Sequence, residues 1–132
     1  MGLDMYGYTM KAEFVGDLQT DVNVSEDERE EAALNHFAYW RKFNHLHGWM
    51  ENLYRQKGGK AEVFNCCTVR LELEDLDRLE SDLNEEKLEY TPGFFFGDDE
   101  IYPEDITETK NFIANARLAI ATGQAVFYDS WW

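Results

Sequence analysis

The chain has 132 residues, a formal net charge of −15, and 44% hydrophobic residues that include four Trp, seven Tyr and nine Phe. That length suits one domain able to bury its own core, and the aromatic content excludes an intrinsically disordered chain. The charge opposes direct binding to nucleic acid or an anionic membrane and favours a partner with a basic surface.

No apolar run approaches the roughly 20 residues of a membrane-spanning helix, and the first residues lack the basic and apolar regions of a secretory signal. A soluble intracellular protein is expected. Met1-Gly2 opens like a myristoylation site, but Tyr6 stands where that pattern needs Ser or Thr.

Residues 3–9, with Leu3, Met5 and the Tyr6/Tyr8 pair around Gly7, read as a first strand, followed by an irregular connection over 11–24. Over residues 26–57 the apolar positions Ala33, Trp40, Phe43, Met50 and Leu53, with Leu46 and Tyr54 alongside, recur at steps of three, four and seven, which predicts a long amphipathic helix. Ser25 with Glu28 forms a capping-box pattern at its start, and Gly58-Gly59 is the stop. Gly48 lies inside at a cost of about 1 kcal/mol relative to Ala, so a bend there or two helices in sequence stay open.

Residues 61–73 alternate Val63, Asn65, Cys67, Val69 and Leu71 against Phe64, Cys66, Thr68 and Arg70, the pattern of a half-buried strand with the first set inward. Cys66 and Cys67 are adjacent there, point to opposite faces, and read as reduced structural thiols. From residue 74 to about 90, Leu76, Leu79, Leu83 and Leu88 give a second amphipathic helix whose outer face is almost purely acidic. Phe94-Phe95-Phe96 between glycines reads as a short buried strand. Pro103 opens a third helix that ends at Gly123, and residues 124–132 form a final strand. The expectation is a single α+β domain over residues 1–132, about four strands in one sheet packed with three helices, in the order β-α-β-α-β-α-β.

Three surfaces could carry function. Trp40, Arg41 and His45 fall on or beside one flank of the expected long helix and form a candidate pocket, where Arg41 could hold an anion and His45 move a proton. Basic residues merely paired with neighbouring carboxylates are the simpler reading. The acids Glu74, Asp75, Asp77, Glu80, Asp82, Glu85 and Glu86, with Asp98, Asp99 and Glu100, form a candidate partner-binding face that could imitate a row of phosphates. Trp131 and Trp132 either dock on the core or anchor an interface such as a homo-oligomer. Neither Cys66-Cys67 nor His45-x-His47 has metal-ligand spacing, and no phosphate-binding loop or nucleophile elbow occurs, so no metal or cofactor is expected and the balance leans away from an enzyme.

The opening Met1-Gly2-Leu3-Asp4-Met5-Tyr6, the segment Ala38-Tyr39-Trp40-Arg41-Lys42 with His45 and Trp49, the turn Gly93-Phe94-Phe95-Phe96-Gly97 and the ending Phe127-Tyr128-Asp129-Ser130-Trp131 together resemble a family of small proteins encoded by bacteriophages and prophages. The likeness spans most of the chain and contains no catalytic signature. It implies a bacterial cytoplasmic setting and an accessory role, in which a small acidic protein binds a host or phage protein to inhibit or redirect it. A small-ligand protein or enzyme using the Trp40/Arg41/His45 pocket, and a structural homo-oligomer, are the rival readings.

Overall fold

In the computed structural model, which describes residues 2–93 and 95–132, four strands form one antiparallel sheet in the order β2-β1-β4-β3. The strands are β1 (Asp4–Lys11), β2 (Asn35–Arg41), β3 (Val69–Leu71) and β4 (Gln124–Trp131). The helices are the single turns α1 (Ala12–Val15) and α2 (Arg29–Ala32), then α3 (Asn44–Gln56), α4 (Leu73–Asn84) and α5 (Pro103–Ala121). The chain is one α+β domain, with β1 and β4 at the centre of the sheet.

Alternation along the strands divides the sheet into two faces. Met5, Ala38, Trp40, Val69, Leu71, Val126 and Tyr128 point to one face, where Leu46, Met50, Leu53 and Tyr54 of α3, Leu76, Leu79 and Leu83 of α4, and Phe112, Ile113 and Ala116 of α5 complete the main core. Tyr8, Met10, Ala125 and Phe127 point to the other face and are covered by Val15, Val22 and Ala32. Gly7, in the middle of β1, lets α5 approach the sheet, because a Cβ there would lie 2.7 Å from the Phe112 ring.

The long helix expected over residues 26–57 is not one helix. A 3-10 turn (Glu26–Glu28) and α2 end where Ala33 takes a left-handed conformation, β2 follows, and Lys42, also left-handed, turns the chain into α3. Ala38 and Trp40 are buried while Tyr39 and Arg41 are exposed, so period two governs this stretch. Ala33 is exposed, and the helical spacing from Trp40 through Phe43 to Met50 is a coincidence of β2 and α3 burying side chains against the same core. Ser25 and Glu28 do interact, the Ser25 backbone N–H and hydroxyl both donating to the Glu28 carboxylate, but they cap the 3-10 turn alone.

Gly48 neither bends nor divides α3. A Cβ at this position would lie 1.9 Å from Thr91 Oγ1, so glycine is required by the close passage of the 89–91 segment. Asn44, buried in the first turn of α3, holds the same region: its Nδ2 donates to the carbonyls of Phe96 and Asp98, and its Oδ1 accepts from the Thr91 N–H.

The strand expected over 61–73 shortens to β3, because the left-handed Cys66 resets the alternation and turns Phe64 inward while Val63 is exposed. The helix expected to reach residue 90 stops at Asn84, and Glu86 with positive φ redirects the chain, although Leu88 still joins the core. The expected strand over 94–96 is absent among the described residues: Phe95 and Phe96 lie in a turn, with the Phe96 N–H donating to the Gly93 carbonyl at 3.2 Å. Phe94 and Met1 lie outside the described residues. The expected strand alternation is therefore corrected to β1-β2-α3-β3-α4-α5-β4, with single helical turns between β1 and β2.

Candidate functional site

Trp40, Arg41 and His45 do not form a common pocket. Trp40 and Arg41 are neighbours on a strand, so their side chains leave opposite faces of the sheet. Trp40 sits in the main core, with its indole N–H donating to Thr109 Oγ1 at 3.0 Å and its ring edge-on to Phe112. Arg41 is exposed on the other face and donates to Asp4 Oδ1 at 2.7 Å. The Tyr39 hydroxyl donates to the same oxygen, and these two donors hold the Asp4 carboxyl below its usual range.

His45 lies in the first turn of α3. Its Nε2–H donates to the Asp99 carbonyl at 3.1 Å, while Nδ1 is buried without a partner among the described residues. Burial lowers its pKa, which keeps the imidazole neutral. No carboxylate side chain is hydrogen-bonded to either ring nitrogen among the described residues, so the acid–base arrangement expected around it is not assembled. Its ring instead lines a polar cleft of about 320 Å³ between α3 and α4, together with Trp49, Asn52, Arg78, Asp82 and Lys87.

The acidic face is interrupted by the protein's own cations. Asp75 is buried, 2.6 Å from Lys57 Nζ and 3.1 Å from Arg78, and accepts the Glu72 N–H that caps α4. It belongs to the interior rather than to a partner surface. Asp77 and Glu80 are bridged by Arg117 of α5 at 2.7 and 2.9 Å, and Asp82 accepts the Trp49 indole N–H. Glu85 takes the Ser81 hydroxyl and lies 3.6 Å from Lys87. Glu74, Glu86, Asp98, Asp99 and Glu100 are exposed.

Two features were not singled out by the sequence reading. The first is a groove of about 420 Å³ between the end of α4 and the start of α5, with Leu83, Leu88, Ile101, Pro103 and Ile106 as its apolar lining and Glu86 and Lys110 at its polar positions. Exposed Glu85, Glu100 and Glu104 are each next in sequence to a lining residue or one further along. The second is the half of the outer sheet face that Val15, Val22 and Ala32 leave open, where Tyr6, His36, Tyr39, Asp129 and Trp131 share one side of β1, β2 and β4. The signal for it was the Tyr6/Tyr8 and Asp129/Trp131 alternation, which periodicity marks as one face but cannot mark as uncovered.

Trp132 docks internally. Its indole N–H donates to the Phe64 carbonyl at 2.9 Å, its ring stands edge-on to Phe96 at 4.9 Å, and Asn65 bonds both its backbone N–H and carbonyl. Trp131, on the opposite face, is 68% exposed.

No group of three or more His, Cys, Asp or Glu side chains converges on a point where a metal could sit among the described residues, and no described helix is long and apolar enough to cross a membrane. No family model matches the chain, and no curated protein or solved structure is significantly similar to it.

Proposed function

We propose that this chain is a small acidic accessory protein of the bacteriophage or prophage kind that it resembles. It binds a basic, amphipathic segment of a host or phage protein in the bacterial cytoplasm, and does so through the groove between α4 and α5. The observation that carries this reading is the pairing of an apolar groove with acidic surroundings in a chain of net charge −15. An apolar floor of Leu83, Leu88, Ile101 and Ile106 accepts the hydrophobic side of a partner segment, while Glu85, Glu86, Glu100 and Glu104 meet its lysines and arginines. The molecule's negative field speeds the encounter.

A pure imitation of a nucleic-acid backbone would need an uninterrupted row of carboxylates. Along α4, Asp75 is buried and Arg117 occupies Asp77 and Glu80, so the groove supports binding better than the row does.

The test uses a fluorescent 15-residue Leu/Lys amphipathic peptide and a scrambled peptide of equal charge, followed by anisotropy at two salt concentrations. The amphipathic peptide should bind about tenfold tighter than the scrambled one, and Ile101→Asp should remove that advantage while leaving the fold intact. Equal binding of the two peptides, or no effect of Ile101→Asp, would reduce the groove to a solvated surface.

A further inference from the structure

The open half of the outer sheet face carries an acid, Asp129, that no ion pair among the described residues neutralises. Tyr6 pairs in register with Asp129 on one side and with Tyr39 on the other. The Tyr6 ring centre is 5.4 Å from that of Tyr39 and 5.8 Å from that of His36, so the rings form a continuous aromatic surface across two strands. Beside it lies a cavity of about 250 Å³ lined by Tyr6, His36, Cys66, Asp129, Ser130 and Trp131.

Asp129 Oδ1 is buried and no donor among the described residues reaches it. Burial, the sole cause, raises the Asp129 pKa to about 6, so the group is still ionised at neutral pH. Two cations of the same face are engaged elsewhere, Arg41 lying 2.7 Å from Asp4 and Arg70 pairing with Glu72 and donating to the Gly16 carbonyl, and a third, Arg29, acts on His36 rather than on Asp129. His36 is held neutral, its pKa lowered by burial and by Arg29. The Cys66 thiol is held protonated by burial and by Asp129 itself. The cavity thus combines ring faces, a neutral imidazole, a neutral thiol and one carboxylate without a counter-ion among the described residues.

We propose that this cavity receives the ammonium group of a lysine side chain presented by a partner protein, with Asp129 as its counter-ion and Tyr6, His36 and Trp131 as its walls. Aromatic faces attract a cation through their quadrupoles, and the lysine methylenes lie against the same rings. Lysine fits better than arginine because the shut-in Oδ1 denies a guanidinium the two-oxygen contact that is its advantage, whereas an ammonium needs only one oxygen. The site lies across the sheet from the α4–α5 groove and stands whether or not that groove is used.

The test is a nuclear magnetic resonance titration of the full chain with acetyl-Gly-Lys-Gly-amide, its norleucine and arginine counterparts, and n-butylamine. The lysine tripeptide should shift the Tyr6 and Asp129 amides and the Trp131 indole saturably. It should bind about tenfold tighter than the norleucine peptide and tighter than n-butylamine or the arginine peptide, with Asp129→Asn removing the preference over norleucine. Trp131→Ala, at an exposed position, should weaken binding severalfold and keeps the test decisive if Asp129→Asn alters the fold. Equal affinity for lysine and norleucine, unchanged binding in the variants, or shifts at α4 and residues 98–100 instead of the sheet face would overturn the proposal. Tighter binding of the arginine peptide or of n-butylamine would overturn the assignment to a protein lysine.

Discussion

Burial moves two side chains, Asp129 and His47, in directions that oppose one another in their effect on stability. His47 accepts the Tyr128 hydroxyl at 2.6 Å inside the main core, and burial lowers its pKa to about 4, whereas burial raises Asp129 to about 6. The neutral His47 contributes stability that is present above its unfolded value of 6.5 and is lost as pH falls toward 4. Asp129 works the other way: its raised pKa contributes stability that is fully present below the unfolded value of 3.8 and is lost as pH rises through about 6. Asp129→Asn should therefore stabilise the protein by on the order of 2 kcal/mol above pH 6, and the gain should disappear below about pH 4. Urea denaturation of both proteins from pH 4 to 8 checks this, and a gain that does not vary with pH would mean that Asp129 is solvated. The sequence shows Asp129 only as a polar residue in a strand. Its isolation follows from which side of the sheet is covered at that point.

At the scale of elements, Lys57 ties four segments together at the end of α3. Its ammonium donates to Gln19 Oε1 at 3.0 Å, the Arg70 carbonyl at 2.6 Å and Asp75 Oδ2 at 2.6 Å, which uses all three of its protons. Lys57→Met should leave Asp75 buried with Arg78 as its remaining cation and cost about 3 kcal/mol. A loss below about 1 kcal/mol in denaturant unfolding would show that Arg78 alone neutralises Asp75. The elements that were legible in the sequence are those with local stop signals or unbroken alternation. Pro103 and Gly123 bracket α5, Gly58-Gly59 closes α3, and Val126 and Tyr128 alternate in β4. β2 was not legible because Trp40 and Phe43 lie at helical spacing from Met50, and the left-handed turns at Ala33 and Lys42 occur at residues that carry no turn signal of their own.

For the whole molecule, a net charge of −15 confined to a compact fold repels itself more strongly than the same charge spread along an unfolded chain. Salt at about 0.1 M shortens the electrostatic range to about 10 Å, which relieves that repulsion while leaving the buried Lys57–Asp75 pair less affected. The melting temperature should therefore rise by several degrees between low salt and physiological ionic strength, as differential scanning calorimetry can measure. A fall would mean that ion pairs such as Arg117 with Asp77 and Glu80 outweigh the repulsion.

Local signals alone were enough for the α+β class, the aromatic core, the first and last strands, the end of α3, the helices α4 and α5 in outline and the excess of acid, because propensity, periodicity and composition are local properties. The sheet order, the passage of β2 along the edge, and the separation of Trp40 from Arg41 and His45 emerge from long-range packing instead. It also decided which carboxylates are free to meet a partner. Whether Asp75 is surface or interior, and whether Asp129 finds a counter-ion, depends on segments distant in the chain meeting at one place, and a linear pattern of residues does not encode that meeting in any short window.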